Sequence, residues 1–375
     1  MTSGAADLAG HVAAALLPFR VDGLISAACR RRVLDAAALL PAAASGFFGF
    51  EARLGDSAPE VDFLACISAE AGGREAWAAA MPPHDMEAAP AWRRAARFVQ
   101  AWAEPGSPFH DPIINMWVEF DLVGDPATPL LPSLFFGTNV LGPEQAAPSE
   151  HQWLTAAIEQ VADAPPSDAR RRTIADCLAA LPSAGRLFQI GTMLSRRQPF
   201  LRLCFRGLPI TEITGYLEGI GWRGVRGELE TLLGTIAPLI DDVLLDLDID
   251  DGVGDRIGLE CYLEDGPQLP ERLTAFLTHL RTVGLCTDTK AAALAAWFGL
   301  THERWCRNSW PADLRDHPRR PGPGHSGGFV RSLHHVKLVF DPPRALQAKA
   351  YLASRFAWID DAVLKRALDT ERRES

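Results

Sequence analysis

The sequence has 375 residues, with 37 Lys+Arg against 47 Asp+Glu and a formal net charge of −10. That balance argues against nucleic acid or an anionic membrane as the main partner, because both call for a basic face. Apolar residues make up 47% and charged residues 22%, the profile of a folded globular chain, and no apolar run reaches the ~18 residues needed to span a bilayer.

The opening stretch MTSGAADLAGHVAAALLPFR lacks the basic start of a signal peptide and reads as an amphipathic helix. Seven cysteines are scattered without a CxxC pair, the usage expected of reduced thiols in a cytoplasmic protein. From residue 46 onward, β-patterned runs come in pairs, and each of the first four pairs is followed by two helical stretches. The first pair is GFFGFEARL (46–54) and VDFLACIS (61–68), with helices over 74–80 and 91–103. The second is NMWVEFDLV (115–123) and LPSLFFG (131–137), with helices over 150–162 and 168–181. The third is RLFQIGTMLS (186–195) and FLRLCFRG (200–207), with helices over 210–220 and 227–240. The fourth is VLLDLDID (243–250) and RIGLECYLE (256–264), with helices over 270–283 and 288–298, the last capped by Thr287. The fifth is SLHHVKLVF (332–340) and LQAKAYLAS (346–354), with a closing helix near 360–368.

Short connections make each pair an antiparallel hairpin. The apolar helix faces must pack on the strands. A closed cylinder does this and leaves no open sheet edge. The predicted fold class is therefore α+β: a ten-stranded antiparallel β-barrel built from five ββαα repeats and ringed by α-helices. On this reading residues 1–375 form one domain. The other reading is two α+β domains divided near Asp163–Ser167.

Strand alternation sorts the polar residues onto one face. That face carries Glu51 and Arg53; Trp117, Glu119 and Asp121; Arg202, Cys204 and Arg206; Asp246 and Asp248; Glu260 and Tyr262; His335 and Lys337; and Gln347, Lys349 and Tyr351. The alternate residues of several strands, such as Leu245, Leu247 and Ile249, are strongly apolar. Two arrangements fit: an ordinary sheet with one solvated face, or a polar chamber inside a barrel.

The ring of ββαα units resembles the ABBA-type, or PT-barrel, aromatic prenyltransferases, and in particular the bacterial indole and tryptophan prenyltransferases. The likeness is carried by LLDLDIDDGVGDRIGLECYLED (244–265) and by MWVEFDLV with PSLFFG (116–137). The resemblance implies a metal-independent transferase that needs no cofactor and moves an allylic group from its diphosphate to an aromatic small molecule or peptide side chain. It implies that cations and tyrosines on successive strands, often as Lys-x-Tyr, hold the diphosphate. Lys349-Ala350-Tyr351 matches that pattern, Arg202-Leu203-Cys204 keeps the cation alone, and Glu260-Cys261-Tyr262 puts an acid in the cation's place. The implied diphosphate ligands are thus Arg202, Arg206, Lys337, Lys349, Tyr262 and Tyr351. Glu51 matches the acid that accepts a hydrogen bond from the aromatic acceptor. Glu51, Glu260 and His335 are the candidate catalytic residues, and Trp117 and Glu119 the candidate acceptor-binding residues.

Other motifs carry less. Asp241-Asp242 with Asp246 is off the DDxxD spacing, and DLDIDDG (246–252) has its glycine at the seventh place of a would-be calcium loop rather than the sixth. GHSGG (324–328) lacks the strand–turn–helix context of a nucleophile elbow. His334 and His335 on a strand are expected on opposite faces, unable to chelate one metal, and no Cys/His cluster has zinc spacing. Residues 308–328, rich in Pro, Gly and Arg, are a candidate lid in which Arg315, Arg319 and Arg320 could gather a phosphate or an acidic peptide. Two functions remain: the transferase, or an accessory barrel that binds a peptide or intermediate in a natural-product pathway and has lost the diphosphate cage.

Overall fold

A computed structural model describes residues 6–16, 22–81, 89–125, 127–196, 201–303, 306, 309–315 and 321–365. The strands β1 (Phe47–Arg53) and β2 (Val61–Ser68) form the first hairpin, and β3 (Asn115–Phe120) and β4 (Pro132–Leu141) the second. Next come β5 (Arg186–Thr192) with β6 (Leu201–Arg206), and β7 (Asp242–Ile249) with β8 (Val253–Tyr262). A short β9 (Gly299–His302) precedes the long final hairpin of β10 (His325–Phe340) and β11 (Gln347–Asp360). Every strand pairs antiparallel with its neighbour. The cylinder closes because β11 pairs with both β10 and β1. Ten strands make the barrel, while β9 adds only to the early part of β10.

The helices lie outside: the expected α1 (Leu8–Leu16) and an unexpected α2 (Ala27–Ala37) come before the barrel, then the four predicted pairs, α3 (Gly73–Ala79) and α4 (Pro90–Ala103), α5 (Gln152–Ala162) and α6 (Asp168–Ala179), α7 (Ile213–Gly219) and α8 (Arg226–Ile236), and α9 (Leu269–Thr282) and α10 (Asp288–Ala295). The reason is visible in α4, where Trp92, Ala95, Phe98, Val99 and Trp102 fall on one buried face. Phe98 meets Phe136 of β4 with ring centroids 5.3 Å apart, and Phe50 of β1 meets Trp297 at 5.7 Å. The core is therefore the layer between barrel and helices, and it leaves the lumen free to be polar. Thr287 caps α10 as expected, its side chain accepting from the Lys290 N–H at 3.2 Å.

The main differences from the sequence expectation lie in β10, β11, α10 and β9. The strand β10 starts at His325 rather than at 332, so part of the expected loop is sheet. Its glycine-rich start is held by β11 on one side and β9 on the other, partners that composition does not show. The strand β11 runs on to Asp360, and residues 361–365 begin a helical turn; 366–368 lie outside the described residues. The helix expected to reach 298 ends at Ala295, and the four residues of β9 were too few to show a period.

The packing layer is testable. Phe50→Ala should destabilise the protein by about 3–5 kcal/mol in urea unfolding, the usual cost of emptying a buried aromatic site. Thr287→Ala should cost about 1 kcal/mol.

Candidate functional site

Five within-hairpin turns all fall at one end of the barrel, and the helical connections at the other. Register then places the inward side chains in layers. Nearest the hairpin turns lie Arg53, Asp62, Arg202, Asp248, Arg256 and Lys349. A central belt holds Glu51, Glu119, Asp246, Glu260, Lys337 and Tyr351. Nearest the helical connections stand Phe47, Trp117, Phe135, Tyr262 and His334, with Arg206 among them. These layers enclose a cavity of about 460 Å³, within the range of small-molecule sites.

In the belt, the Lys337 ammonium pairs with the Asp246 carboxylate and lies 3.6 Å from Glu260 Oε1. Burial would lower Lys337, but Asp246 wins and raises it above its ordinary value. The geometry depends on Gly258: a Cβ there would sit 2.6 Å from Lys337 Cε and 3.0 Å from Asp246 Oδ2. Across the lumen, Lys349 Nζ donates to Glu51 Oε1 at 2.6 Å, and the Tyr351 hydroxyl donates to Glu51 Oε2. Burial alone would raise the Glu51 carboxyl, yet Lys349 overrides it and holds Glu51 well below the carboxylate range. The same burial, together with Glu51, pushes Tyr351 far up. Among the described residues Glu119 forms no ion pair, and Lys337 and Arg202 act on it only from a distance. Burial first, and the Glu51 charge second, push it up to about 8.

At the hairpin end, Arg202 Nε donates to Asp248 Oδ1 at 2.8 Å, and Arg256 Nη1 approaches Asp248 Oδ2 at 3.5 Å. Arg202 is raised by Asp248 against the opposing effect of burial. Arg256 is lowered, first by burial and then by repulsion from Arg202, with a further push from Arg196. Guanidinium groups thus crowd one carboxylate. Arg53 Nη2 pairs with Asp62 Oδ2 at 3.1 Å, while Asp62 Oδ1 accepts the backbone N–H groups of Leu122 (2.7 Å) and Val123 (3.1 Å). Burial, reinforced by Glu51, pushes Asp62 up to about 6.

At the opposite end the lining turns aromatic. Phe47 meets Trp117 edge-on at 5.0 Å, and Tyr262 meets His334 at 5.5 Å. The Phe135 ring fills the space above Gly191, where a Cβ would approach it to 2.1 Å. Here one expectation is overturned. His334 and His335 do not face opposite sides, because the register shifts between Leu333 and His335 and brings both rings to the lumen. Their Nδ1 atoms lie 2.7 Å apart. Tyr351 stacks on His335 at 4.2 Å, and burial, with His334 adding to it, holds His335 well below its ordinary value.

The structure therefore brings Glu51, Glu260, His335, Lys337, Lys349, Tyr351, Tyr262, Trp117 and Glu119 to one lumen, all lining the cavity. Arg202 and Arg206 also line it, but four residues of strand, about 13 Å, separate them, and they serve opposite ends. Sequence reasoning missed Arg256, Arg196 and His334. Arg256 shares the parity of Glu260 on β8, so alternation could have found it. Arg196 sits in a turn and His334 at a bulge, where no period applies. In the candidate lid, Arg315 Nη2 donates to the Trp310 carbonyl at 3.3 Å on a short α11 (Ala312–Arg315), whose Asp313 accepts from His11 of α1 at 2.7 Å. Arg319 and Arg320 lie outside the described residues. Among the described residues, no helix is long and apolar enough to cross a membrane.

A closed ten-stranded antiparallel barrel ringed by helices is the fold of the ABBA-type aromatic prenyltransferases. The apo structure of the prenyltransferase PriB aligns over 92% of this chain and 96% of its own, at 16% identity and a TM-score of 0.53. AnaPT from Neosartorya fischeri aligns over 88% and 85%, at 14% identity and a TM-score of 0.50. A 6-dimethylallyl tryptophan synthase aligns over 92% and 94%, at 15% identity and a TM-score of 0.50. No family model matches the sequence, and neither does any curated protein.

Two outcomes follow from the lumen charges. Lys337→Met leaves Asp246 buried and unpaired, and should cost about 3–5 kcal/mol in urea unfolding, whereas Lys337→Met combined with Asp246→Leu should recover much of that loss. Glu119 in the folded protein keeps a proton that an ordinary carboxyl, at 4.5, gives up, so stability should fall as pH rises from about 4.5 to about 8. Glu119→Gln should flatten that slope; an unchanged slope in pH-dependent unfolding would contradict the assignment.

Proposed function

We propose that this chain is an aromatic prenyltransferase that moves an allylic group from its diphosphate to an aromatic acceptor inside the lumen. The observation that carries the proposal is the convergence of Arg202 and Arg256 on the single carboxylate of Asp248 at the hairpin end, opposite the aromatic layer. An allylic diphosphate is divided in the same way, with an anionic head and an apolar tail.

The chemistry assigns each layer a task. The allylic C–O bond breaks and negative charge builds on the diphosphate. Guanidinium groups fixed beforehand stabilise that charge without reorganising at the moment of reaction. Arg202, Arg256 and Lys349 are the proposed ligands of the leaving group. The rings of Phe47, Trp117 and Tyr262 shield the allylic cation from water and stabilise it through their π faces. Glu119, held neutral at pH 7 by its raised pKa, is the proposed hydrogen-bonding partner of the acceptor. Glu260, bonded by the Tyr262 hydroxyl at 3.0 Å, anchors the belt between the two layers. A PriB structure carries product diphosphate, which supports a site of this kind in the shared fold.

One observation favours the second reading, an accessory barrel that binds without transferring. Lys349 and Tyr351, the best Lys-x-Tyr match in the chain, both bond Glu51. A diphosphate at that position must displace a carboxylate that is already well held.

Thermal unfolding with dimethylallyl or geranyl diphosphate separates the two. Transfer predicts stabilisation by about 2.7 kcal/mol at a hundredfold excess over Kd, with affinity weakened at least tenfold in Arg202→Ala and Arg256→Ala. Prenylated product should then form from an aromatic acceptor such as an indole. No stabilisation at millimolar diphosphate removes the transferase and leaves the accessory barrel.

A further inference from the structure

The scheme above leaves unassigned the group that takes up the proton the aromatic ring must lose, and two histidines meet on the β10 bulge. Two imidazole nitrogens 2.7 Å apart share one proton, so one Nδ1 donates and the other accepts. The other side of His335 decides which. His335 Nε2 is buried without a hydrogen-bond partner among the described residues and lies 3.6 Å from Glu260 Oε1. That carboxylate accepts from Tyr262 through its other oxygen and faces the Lys337 ammonium. A bare nitrogen there would set lone pair against carboxylate; an N–H faces an acceptor. The proton of His335 therefore belongs on Nε2, its Nδ1 accepts, and His334 donates from Nδ1. His334 is left with an unprotonated Nε2 on a side chain that is exposed within the lumen. Its ring stands among Tyr262 at 5.5 Å, Phe47 at 6.0 Å and Trp117 at 6.4 Å, the layer proposed to shield the allylic cation that the acceptor ring attacks. Stacking of Tyr351 on His335 holds the plane of the inner ring. Burial lowers His334 as well, which favours its unprotonated form.

We infer that His334 is the base of the reaction, and that His335 and Glu260 are positioning residues that set its tautomer. The inference rests on the transferase reading above. The atoms balance as follows. The allylic C–O bond breaks and its electron pair leaves with the diphosphate. A ring carbon bonds to the allylic carbon and forms an arenium ion. His334 Nε2 then takes the proton from that ring carbon, and the C–H electron pair restores the aromatic ring. The imidazolium so formed is stabilised through His335 by the Glu260 charge.

Diphosphate release and product formation, measured separately, test this. In the wild type the two should be equal, with no primary isotope effect from deuterium at the prenylated position. His334→Gln should still release diphosphate, yet product should fall by about 10²–10⁴, prenyl alcohol should replace it, and an isotope effect should appear. Free imidazole should restore product to His334→Ala, a rescue that a merely structural role would not give. Glu260→Gln should lower kcat with little change in KM. A His334→Gln enzyme whose product and isotope effect match the wild type overturns the base while leaving the transferase standing. A wild type that releases no diphosphate overturns both. Independently of turnover, 15N spectra of histidine-labelled protein should show His334 protonated at Nδ1; protonation at Nε2 overturns the tautomer on which the inference rests.

Discussion

The Lys337 stem crosses the bare backbone of Gly258, and its ammonium ends on Asp246, a carboxylate that is 1% exposed. Neither charge could stay inside a closed barrel alone, since each loses several kcal/mol of hydration that only a close partner returns. The rest of the lumen obeys the same constraint. Closing ten strands sends every second side chain inward, and the helix layer outside already takes the apolar ones. Much of what remains inside is ionisable, and it holds together because its signs are matched: Lys349 with Glu51, Arg202 with Asp248, Arg53 with Asp62.

Where the match is uneven, chemistry becomes available. At the hairpin end, guanidinium groups share one aspartate and repel each other, so an anion placed there would offset that repulsion. In the belt, Glu119 sits near Glu51 without a cation of its own and turns neutral, a group that can both donate and accept. At the aromatic end, the His334–His335 pair is linked to the belt through Glu260. One gradient of charge thus runs from the hairpin turns to the helical connections, the order that the proposed transfer requires of an anionic head, a reacting centre and an apolar wall. It is fixed by register, so a one-residue slip in any strand would turn its charges into the helix layer.

Much of this was legible in the sequence because strands have a strict period of two. Asp246 and Asp248 alternating with Leu245, Leu247 and Ile249 already separate lumen from core, and the hairpin turns count the strands. The same parity on β8 contains Arg256, whose place in the lumen is as readable as that of Glu260. What was not legible lies where the period breaks. The bulge that turns His334 inward depends on how β10 meets β11, and no local pattern announces it. Arg196 stands in a turn. The early half of β10 reads as a glycine-rich loop, because its order comes from β9 and β11, far away in sequence. Which cation holds which acid is likewise a matter of register: alternation placed Lys349 and Glu51 in one chamber, while their direct bond follows from the β1–β11 closure.

In the proposed transferase the arginine-rich hairpin end receives the anionic head of the diphosphate while the aromatic end receives its allylic tail. A crystal structure with a non-ionising allylic thiodiphosphate tests it most directly. The account predicts phosphate oxygens within hydrogen-bond distance of Arg202 and Arg256, with the allylic tail directed toward Trp117 and Tyr262. A diphosphate bound at the Arg206 end, or a lumen that stays closed to the ligand with Lys349 and Tyr351 still on Glu51, would contradict it.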